Sequence, residues 1–145
     1  MKASIRPLAE PDYSAWLELW NANNDGHTND EVTAETWRRL IDPASSVHGL
    51  AAWRGEDMAG LVHYILHPVT GHINSACYMQ DLFVSPSFRR HGIGRAIVLR
   101  LAEMAADAQW ARLYWLAADN NEAAQALYRR LGLKLDFSFY IMPLK

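Results

Sequence analysis

Residues 89–94 read Arg89-Arg90-His91-Gly92-Ile93-Gly94, and they join a predicted strand to a predicted helix. Two glycines at such a turn let the backbone approach a ligand closely, because neither carries a Cβ atom. The unpaired amides of the helix's first turn, aided by the helix dipole, then form a site for phosphate oxygens. The turn therefore predicts a phosphorylated ligand, against the simpler interpretation of a glycine-containing helix start with solvated arginines.

The turn matches neither of two common phosphate-binding motifs. A P-loop is excluded because no Gly-Lys-Ser/Thr follows. The dinucleotide fingerprint is excluded because Ile97 stands where that pattern needs a third glycine. The identity of the phosphorylated ligand must come from other parts of the sequence.

A second motif lies one predicted strand further along, where residues 121–133 read Asn-Glu-Ala-Ala-Gln-Ala-Leu-Tyr-Arg-Arg-Leu-Gly-Leu. Its apolar residues recur at helical spacing and predict a helix over Asn121–Leu131 whose apolar face meets the sheet. Gly132 is expected to end this helix in a left-handed conformation. Tyr128 lies beside the apolar face. The simpler interpretations are a helix-capping Asn121 and a partly buried core Tyr128.

The other elements predict an α/β fold. Strands are predicted at Ile5–Leu8, Val47–Trp53, Ala59–Leu66, about Ala76–Val84, Arg112–Ala117 and Phe137–Met142. Helices are predicted from Asp12, from a Thr33 cap through Leu40, over Gly92–Ala108 and over Asn121–Leu131. This order predicts one domain over residues 1–145, with a mixed central sheet of six to seven strands, about four flanking helices and a right-handed βαβ crossover.

Length and composition limit the class of protein. The chain has 145 residues, a formal net charge of −2, 50% hydrophobic and 21% charged residues, which fits one folded domain and excludes wholesale disorder. The near-balanced charge gives no reason to expect nucleic acid as the main partner. No apolar run approaches the ~20 residues of a membrane span, and no secretory signal is evident. The single Cys77 excludes an internal disulfide framework and favours a cytoplasmic location.

Together the two motifs resemble those of the GNAT superfamily, the acetyl-CoA-dependent N-acetyltransferases. The family's coenzyme motif, Arg/Gln-x-x-Gly-x-Gly/Ala, matches Arg89–Gly94. Its later pattern, Asn-x-x-Ala-x-x-Leu-Tyr followed by Gly and a hydrophobic residue, matches Asn121–Leu133. Residues 78–84, Tyr-Met-Gln-Asp-Leu-Phe-Val, are similar to a strand of the subgroup that contains the polyamine/histone-type and spermidine/spermine acetyltransferases.

The resemblance implies a GNAT-like fold, with acetyl-CoA as acyl donor and a small cationic amine that attacks directly in a ternary complex. The coenzyme pyrophosphate is expected on backbone amides of the glycine turn, and the pantetheine is expected to pair like an added strand with the edge near Leu82–Val84. An amide near Val84 is expected to donate to the thioester oxygen. The coenzyme-binding positions implied are Leu82, Phe83, Val84, Arg89, Arg90, His91, Gly92, Ile93, Gly94, Arg95, Asn121 and Tyr128.

The resemblance also implies catalytic roles. Tyr128 is the expected general acid towards the departing thiolate, because a phenol with pKa near 10 can protonate a thiolate whose thiol has pKa ≈ 8.5. Gln80 stands where the subgroup often has a Glu credited with deprotonating the amine, so no base is assigned. The neighbouring Asp81 points to the opposite strand face unless a bulge intervenes.

The acceptor side is expected around the polar loop Asn23–Glu31 and on the sheet. The candidate substrate-binding residues are Asp25, His27, Trp37, Tyr78 and Gln80. Acidic loop residues would steer a cationic amine, or they are ordinary turn residues. Trp37 either lines an amine pocket through a cation–π contact or packs in the core.

Two alternative functions remain open from the sequence. One is acetylation of a protein Nα or lysine amine, and the other is a non-catalytic acyl-CoA-binding module. No metal is expected, because the histidines 63, 67 and 72 have only Cys77 as a thiol partner. The apolar segment Phe137–Met142 predicts a homodimer, because a terminal strand can pair across subunits.

Overall fold

The computed structural model describes residues 2–144, which form one five-stranded sheet with helices on both faces. The strands are β1 (Ser4–Pro7), β2 (Val47–Arg54), β3 (Asp57–His67), β4 (Ala76–Val84) and β5 (Leu113–Trp115). They lie in the order β1-β2-β3-β4-β5, antiparallel up to β4, with β5 parallel to β4. The helices are α1 (Tyr13–Asn23), α2 (Asp30–Ile41), α3 (Ile93–Ala108) and α4 (Glu122–Leu131).

The two faces of the sheet carry separate apolar clusters because successive strand residues point to opposite sides. On β3, Leu61 packs with Trp16 of α1 and Leu40 of α2. Its neighbour Val62 packs with Ile97 of α3 in the other cluster. The α1–α2 face and the α3 face are therefore distinct, and the residues of β4 belong to one or the other.

A β-bulge in β4 inverts this alternation halfway along the strand. His63 pairs with Asp81 and Tyr64 pairs with Met79, so Gln80 is the extra residue. Before the bulge, Met79 packs in the α3 cluster; after it, Leu82 does. In an uninterrupted strand Met79 and Asp81 would face the same side, but the bulge at Gln80 places them on opposite sides. Asp81 therefore faces the α1–α2 side of the sheet.

The sheet opens beyond the bulge. The short β5 pairs with β4 only from Cys77 to Met79, where Met79 lies opposite Trp115. The residues of β4 after the bulge, Asp81–Val84, continue to pair with β3 on their other side. Their outer edge has no strand partner among residues 2–144, so its backbone groups are open to an extended ligand, apart from the Val84 carbonyl, which accepts a hydrogen bond from Arg89.

The predicted strand count is wrong. The sheet has five strands rather than six to seven, and residues 137–142 form no strand in the part of the chain described. Their large apolar side chains are 73–88% exposed. A strand needs a partner edge and a surface to cover, and this segment buries little against its own chain.

Two local predictions near helix ends are also wrong. The second helix begins at Asp30 with Asn29 as its cap, whose side chain accepts from the amides of residues 31 and 32. The expected cap, Thr33, instead accepts a hydrogen bond from Trp20 Nε1 at 2.9 Å. Gly132 ends α4 with φ −143°, which is extended. A Cβ there would lie 3.2 Å from Trp115, so close approach favours this glycine.

Candidate functional site

The glycine turn forms the start of α3 as the sequence predicted. Gly92 caps the helix with φ +77°, and Arg90 also has a positive φ of +66°. The amides of residues 93–95 belong to the first helical turn, where the N–H groups find no backbone acceptor within the helix. These N–H groups and the helix dipole favour an anion at this end of α3.

The glycine turn lies beside the open edge of β4. A Cβ built at Gly94 would lie 3.6 Å from Val84, 3.7 Å from Leu127 and 3.9 Å from Leu82, which are ordinary contacts. At Gly92 nothing lies within 4 Å. The start of α3, the end of β4 and α4 therefore meet at Gly94, beside the open edge of β4.

The basic side chains around the turn hold it in place and make it positive. Arg89 Nε donates to the carbonyl of Val84 at 3.0 Å, and its guanidinium lies 5.5 Å from the Phe83 ring centre. Arg54 donates to His91 Nδ1 at 2.9 Å, and both residues line a cavity of about 340 Å³. The predicted coenzyme-binding positions from Leu82 to Arg95 thus lie at one end of the sheet.

Tyr128 of α4 lies on the same side of the sheet. Its ring packs against Trp115 of β5 with centroids 5.3 Å apart, and it contacts the α3 cluster. Burial raises its pKa above the usual value of a phenol. The hydroxyl has no hydrogen-bond partner within residues 2–144, so a protonated phenol is free to donate to a ligand.

Asn121 has the structural role that the simpler interpretation assigned to it. Its Oδ1 accepts from the amide of Ala124 at 3.1 Å and caps α4. This cap fixes the start of the helix that carries Tyr128. A contact between Asn121 and the coenzyme remains a prediction.

Cys77 is the one thiol of the chain, and it is fully buried. Burial raises its pKa to about 12. A thiol in that state is a poor nucleophile at neutral pH, because the thiolate is the reactive form. A covalent acyl-cysteine route therefore has no suitable residue here.

The predicted acceptor-side residues separate into two groups. Asp25 and His27 are exposed in the turn after α1. Trp37 packs edge-on against Tyr13 and tilted against Trp16, so it belongs to the aromatic layer between the helices and the sheet.

Tyr78 and Gln80 do lie on the sheet near its open edge. Tyr78 stacks on Tyr114 with centroids 5.1 Å apart, and burial raises its pKa, with smaller contributions from Tyr114 and Asp81. Gln80 is the exposed bulge residue.

A hydrogen-bond chain that the sequence did not reveal runs beneath this surface. Trp16 Nε1 donates to His63 Nε2 at 3.0 Å, and His63 Nδ1 lies 3.0 Å from Asp81 Oδ2. The face of β3 to which His63 points was predictable from strand alternation. Its pairing with Asp81 depends on the bulge, for which the sequence has no clear signal.

Across residues 2–144, no three or more His, Cys, Asp or Glu side chains lie close enough together to hold a metal ion. None of the four helices in that range has the length and apolar character needed to cross a membrane.

Comparison with known proteins places this geometry in a family. Residues 6–133 match the model of the acetyltransferase (GNAT) family. The D-amino-acid N-acetyltransferase HPA3 of Saccharomyces cerevisiae is 29% identical over 94% of this chain and 88% of its own length. The thialysine N-epsilon-acetyltransferase of Caenorhabditis elegans is 38% identical over 66% of this chain and 59% of its own length.

A solved structure shows the same fold. AAC(6')-Iy, in complex with the bisubstrate analogue CoA-S-monomethyl-acetylneamine, superposes with a TM-score of 0.85. The alignment covers 100% of this chain and 99% of the other, at 16% identity. At that identity the likeness concerns the fold alone.

Proposed function

Because this chain belongs to the acetyltransferase (GNAT) family and is an acyltransferase, we propose that it moves an acetyl group from acetyl-CoA to a small primary amine. One observation carries the proposal. The open edge of β4, the start of α3 and the helix α4 that carries Tyr128 meet at Gly94. An anion site, a free strand edge and a phenol thus lie next to one another, as the phosphate, the amide chain and the leaving group of acetyl-CoA would require.

The residues present fit the coenzyme. The first-turn amides of α3 would hold the pyrophosphate, with Arg89–Arg95 supplying positive charge around it. The edge at Leu82–Val84, which has no strand partner on its outer side, would form hydrogen bonds with the amides of the pantetheine, which would lie there like an added strand. A backbone amide near Val84 would donate to the thioester oxygen, a type of contact worth about 2.7–4 kcal/mol.

The reaction proposed is direct transfer within a ternary complex. Acetyl-CoA supplies a thioester whose carbonyl carbon accepts the amine nitrogen. The N–C bond forms and the C–S bond breaks; the nitrogen loses one proton to water, and Tyr128 gives one proton to the departing sulfur and recovers it from water. The raised pKa of Tyr128 keeps the phenol protonated at neutral pH.

The acceptor class follows from the relatives and from charge. The relatives named above act on D-amino acids and on thialysine. The sheet face beside the open edge of β4 carries the carboxylate of Asp81 near aromatic rings, which suits a cationic amine. We therefore expect thialysine, a D-amino acid or a polyamine such as spermidine to be acetylated, in a reducing cytoplasm that suits the buried Cys77.

The test combines binding with turnover. Calorimetry should detect CoA binding to the wild type, and a thiol assay should detect free coenzyme when acetyl-CoA and an amine are both present. Thialysine, several D-amino acids, spermidine and a lysine peptide form the acceptor panel. Binding without any release of coenzyme would leave a binding module, and turnover of the peptide alone would favour a protein substrate.

We also propose that the protein is a homodimer in which a second copy covers the C-terminal segment. Every large apolar side chain from Leu133 to Leu144 is 63–91% exposed, and the outer edge of β5 is unpaired within residues 2–144. Monomers rarely expose an apolar patch of that extent. Light scattering at micromolar concentration should give twice the chain mass, and Phe139→Ser should reduce it, while a monomeric wild type would contradict the proposal.

A further inference from the structure

A three-residue hydrogen-bond chain, Trp16–His63–Asp81, connects the buried aromatic layer under α1 to the open end of β4. Trp16 is fully buried, the His63 side chain is 3% exposed and the Asp81 side chain is 26% exposed. The chain therefore ends in a carboxylate that a small molecule can reach. The two inner members have no access to solvent, so their effect must pass through Asp81.

The geometry determines which nitrogen of His63 carries the proton. Indole N–H is a donor only, so the 3.0 Å bond from Trp16 requires an unprotonated Nε2 on His63. The proton of the neutral ring then lies on Nδ1, which donates to Asp81 Oδ2 at 3.0 Å. The His63–Asp81 contact is thus a hydrogen bond that the imidazole Nδ1–H donates to a carboxylate oxygen.

Only one oxygen of Asp81 is engaged by this bond. Within residues 2–144 its hydrogen-bond partner is His63, through Oδ2. The other oxygen, Oδ1, retains its acceptor capacity. Asp81 directly precedes Leu82–Val84, the edge proposed to hold the pantetheine. The bulge at Gln80 turns the Asp81 side chain to the α1–α2 face.

We propose that Asp81 Oδ1 binds the nitrogen of the acceptor amine, with His63 and Trp16 as positioning residues; this inference rests on the proposed acetyl transfer. The carboxylate accepts an N–H bond from the amine and stabilises the positive charge that grows on nitrogen as the N–C bond forms. Tyr78 and Tyr114, stacked beside it, provide aromatic surface for the rest of a cationic acceptor.

The first test replaces the charge without changing the shape. Asp81→Asn keeps an oxygen for the His63 Nδ1–H but presents an NH2 donor to the amine. We expect kcat/KM for thialysine to fall roughly 10- to 100-fold, the effect of losing one charge-assisted hydrogen bond, with the affinity for CoA unchanged. Asp107→Asn, on the exposed end of α3, makes the same change in net charge and should leave kcat/KM as it is.

The second test separates positioning from packing. The amide nitrogen of His63→Asn can replace Nδ1 and donate to Asp81, whereas His63→Phe fills the space but cannot donate. We expect kcat/KM to be retained within a few-fold in His63→Asn and to fall as far as in Asp81→Asn for His63→Phe. The nitrogen chemical shifts of labelled His63 in the wild type should show the Nδ1–H form.

The outcomes distinguish the two proposals. Wild-type kinetics in Asp81→Asn would overturn the inference and leave the acetyl transfer intact. Equal kinetics in both His63 variants would overturn the positioning role. If the wild type transfers no acetyl group, the proposed function fails. In that case equal calorimetric affinity of the wild type and Asp81→Asn for thialysine overturns the inference, and weaker affinity of the variant supports it.

Discussion

The two sides of the proposed active site are built in different ways. On the coenzyme side, the glycine turn and Tyr128 each belong to a short continuous motif, and their backbone conformations follow from local chemistry. On the amine side, Trp16, His63 and Asp81 come from three separate elements and meet only because β3 and β4 pair with a bulge. Side-chain substitutions that keep the backbone conformation should therefore affect ligand binding and turnover on the first side, while those on the second side should affect stability as well.

The largest effect is expected at Tyr128. Tyr128→Phe should lower kcat by about 10²- to 10⁴-fold, because the thiolate loses its proton donor. The affinity for CoA should change little, since the ring still packs against Trp115. Steady-state kinetics and calorimetry measure the two quantities, with Tyr13→Phe as the control in the aromatic layer. Equal turnover by Tyr128→Phe would remove this residue from the mechanism.

The next effect concerns the glycine turn, and it tests whether that side acts on binding alone. Gly92 and Gly26 have φ values of +77° and +76°, and a Cβ at either position meets nothing within 4 Å. Alanine at either position should therefore lower the free energy of unfolding by about 1–2 kcal/mol, because an L-residue is strained at these φ values. Only Gly92→Ala should also weaken CoA binding, by about tenfold, because it alone distorts the amides of the α3 turn.

Calorimetric titration with CoA and chemical denaturation of both glycine variants provide the measurements. Equal loss of CoA affinity in Gly26→Ala and Gly92→Ala would mean that the turn has no special role. An unchanged affinity in both would place the pyrophosphate elsewhere on the molecule.

A smaller effect should separate stability from function on the amine side. Trp16→Phe leaves His63 Nε2 without its donor, whereas the buried Nε1 of Trp53 has no hydrogen-bond partner among residues 2–144. Both substitutions remove the same atoms. Trp16→Phe should lower the free energy of unfolding by about 1–3 kcal/mol more than Trp53→Phe does. Urea denaturation compares them, and equal values would show that the Trp16–His63 bond adds no net stability.

The smallest effect lies in the pH profile of kcat. Because burial raises the pKa of Tyr128, its acid form persists beyond the usual phenol range near 10. Activity should rise with pH as the amine loses its proton, and it should fall only above the pKa of Tyr128. The alkaline fall should be absent from the residual activity of Tyr128→Phe. A wild-type fall that begins below pH 9 would contradict this assignment.

The sequence predictions were accurate where a feature belongs to one continuous segment and wrong where it depends on contacts between separate elements. The two motifs, the α3 start at Gly92 and the strand Ala76–Val84 were predictable, because propensity and spacing act over a few residues. The cap of α2 was wrong since Asn29 and Thr33 are both good capping residues, and tertiary contact with Trp20 drew Thr33 inwards. The terminal strand was wrong because an apolar pattern does not provide a partner edge.

The amino-acid order by itself determined the α/β class, the family, the glycine turn that begins α3 and the helix that carries Tyr128, since each depends on neighbours close in the chain. The side of the sheet that Asp81 faces, and the proton position on His63, were decided only by the tertiary structure. One extra residue in β4 reverses the direction of every side chain after it. Such a reversal depends on how β4 aligns with β3, and that alignment exists only in the folded sheet.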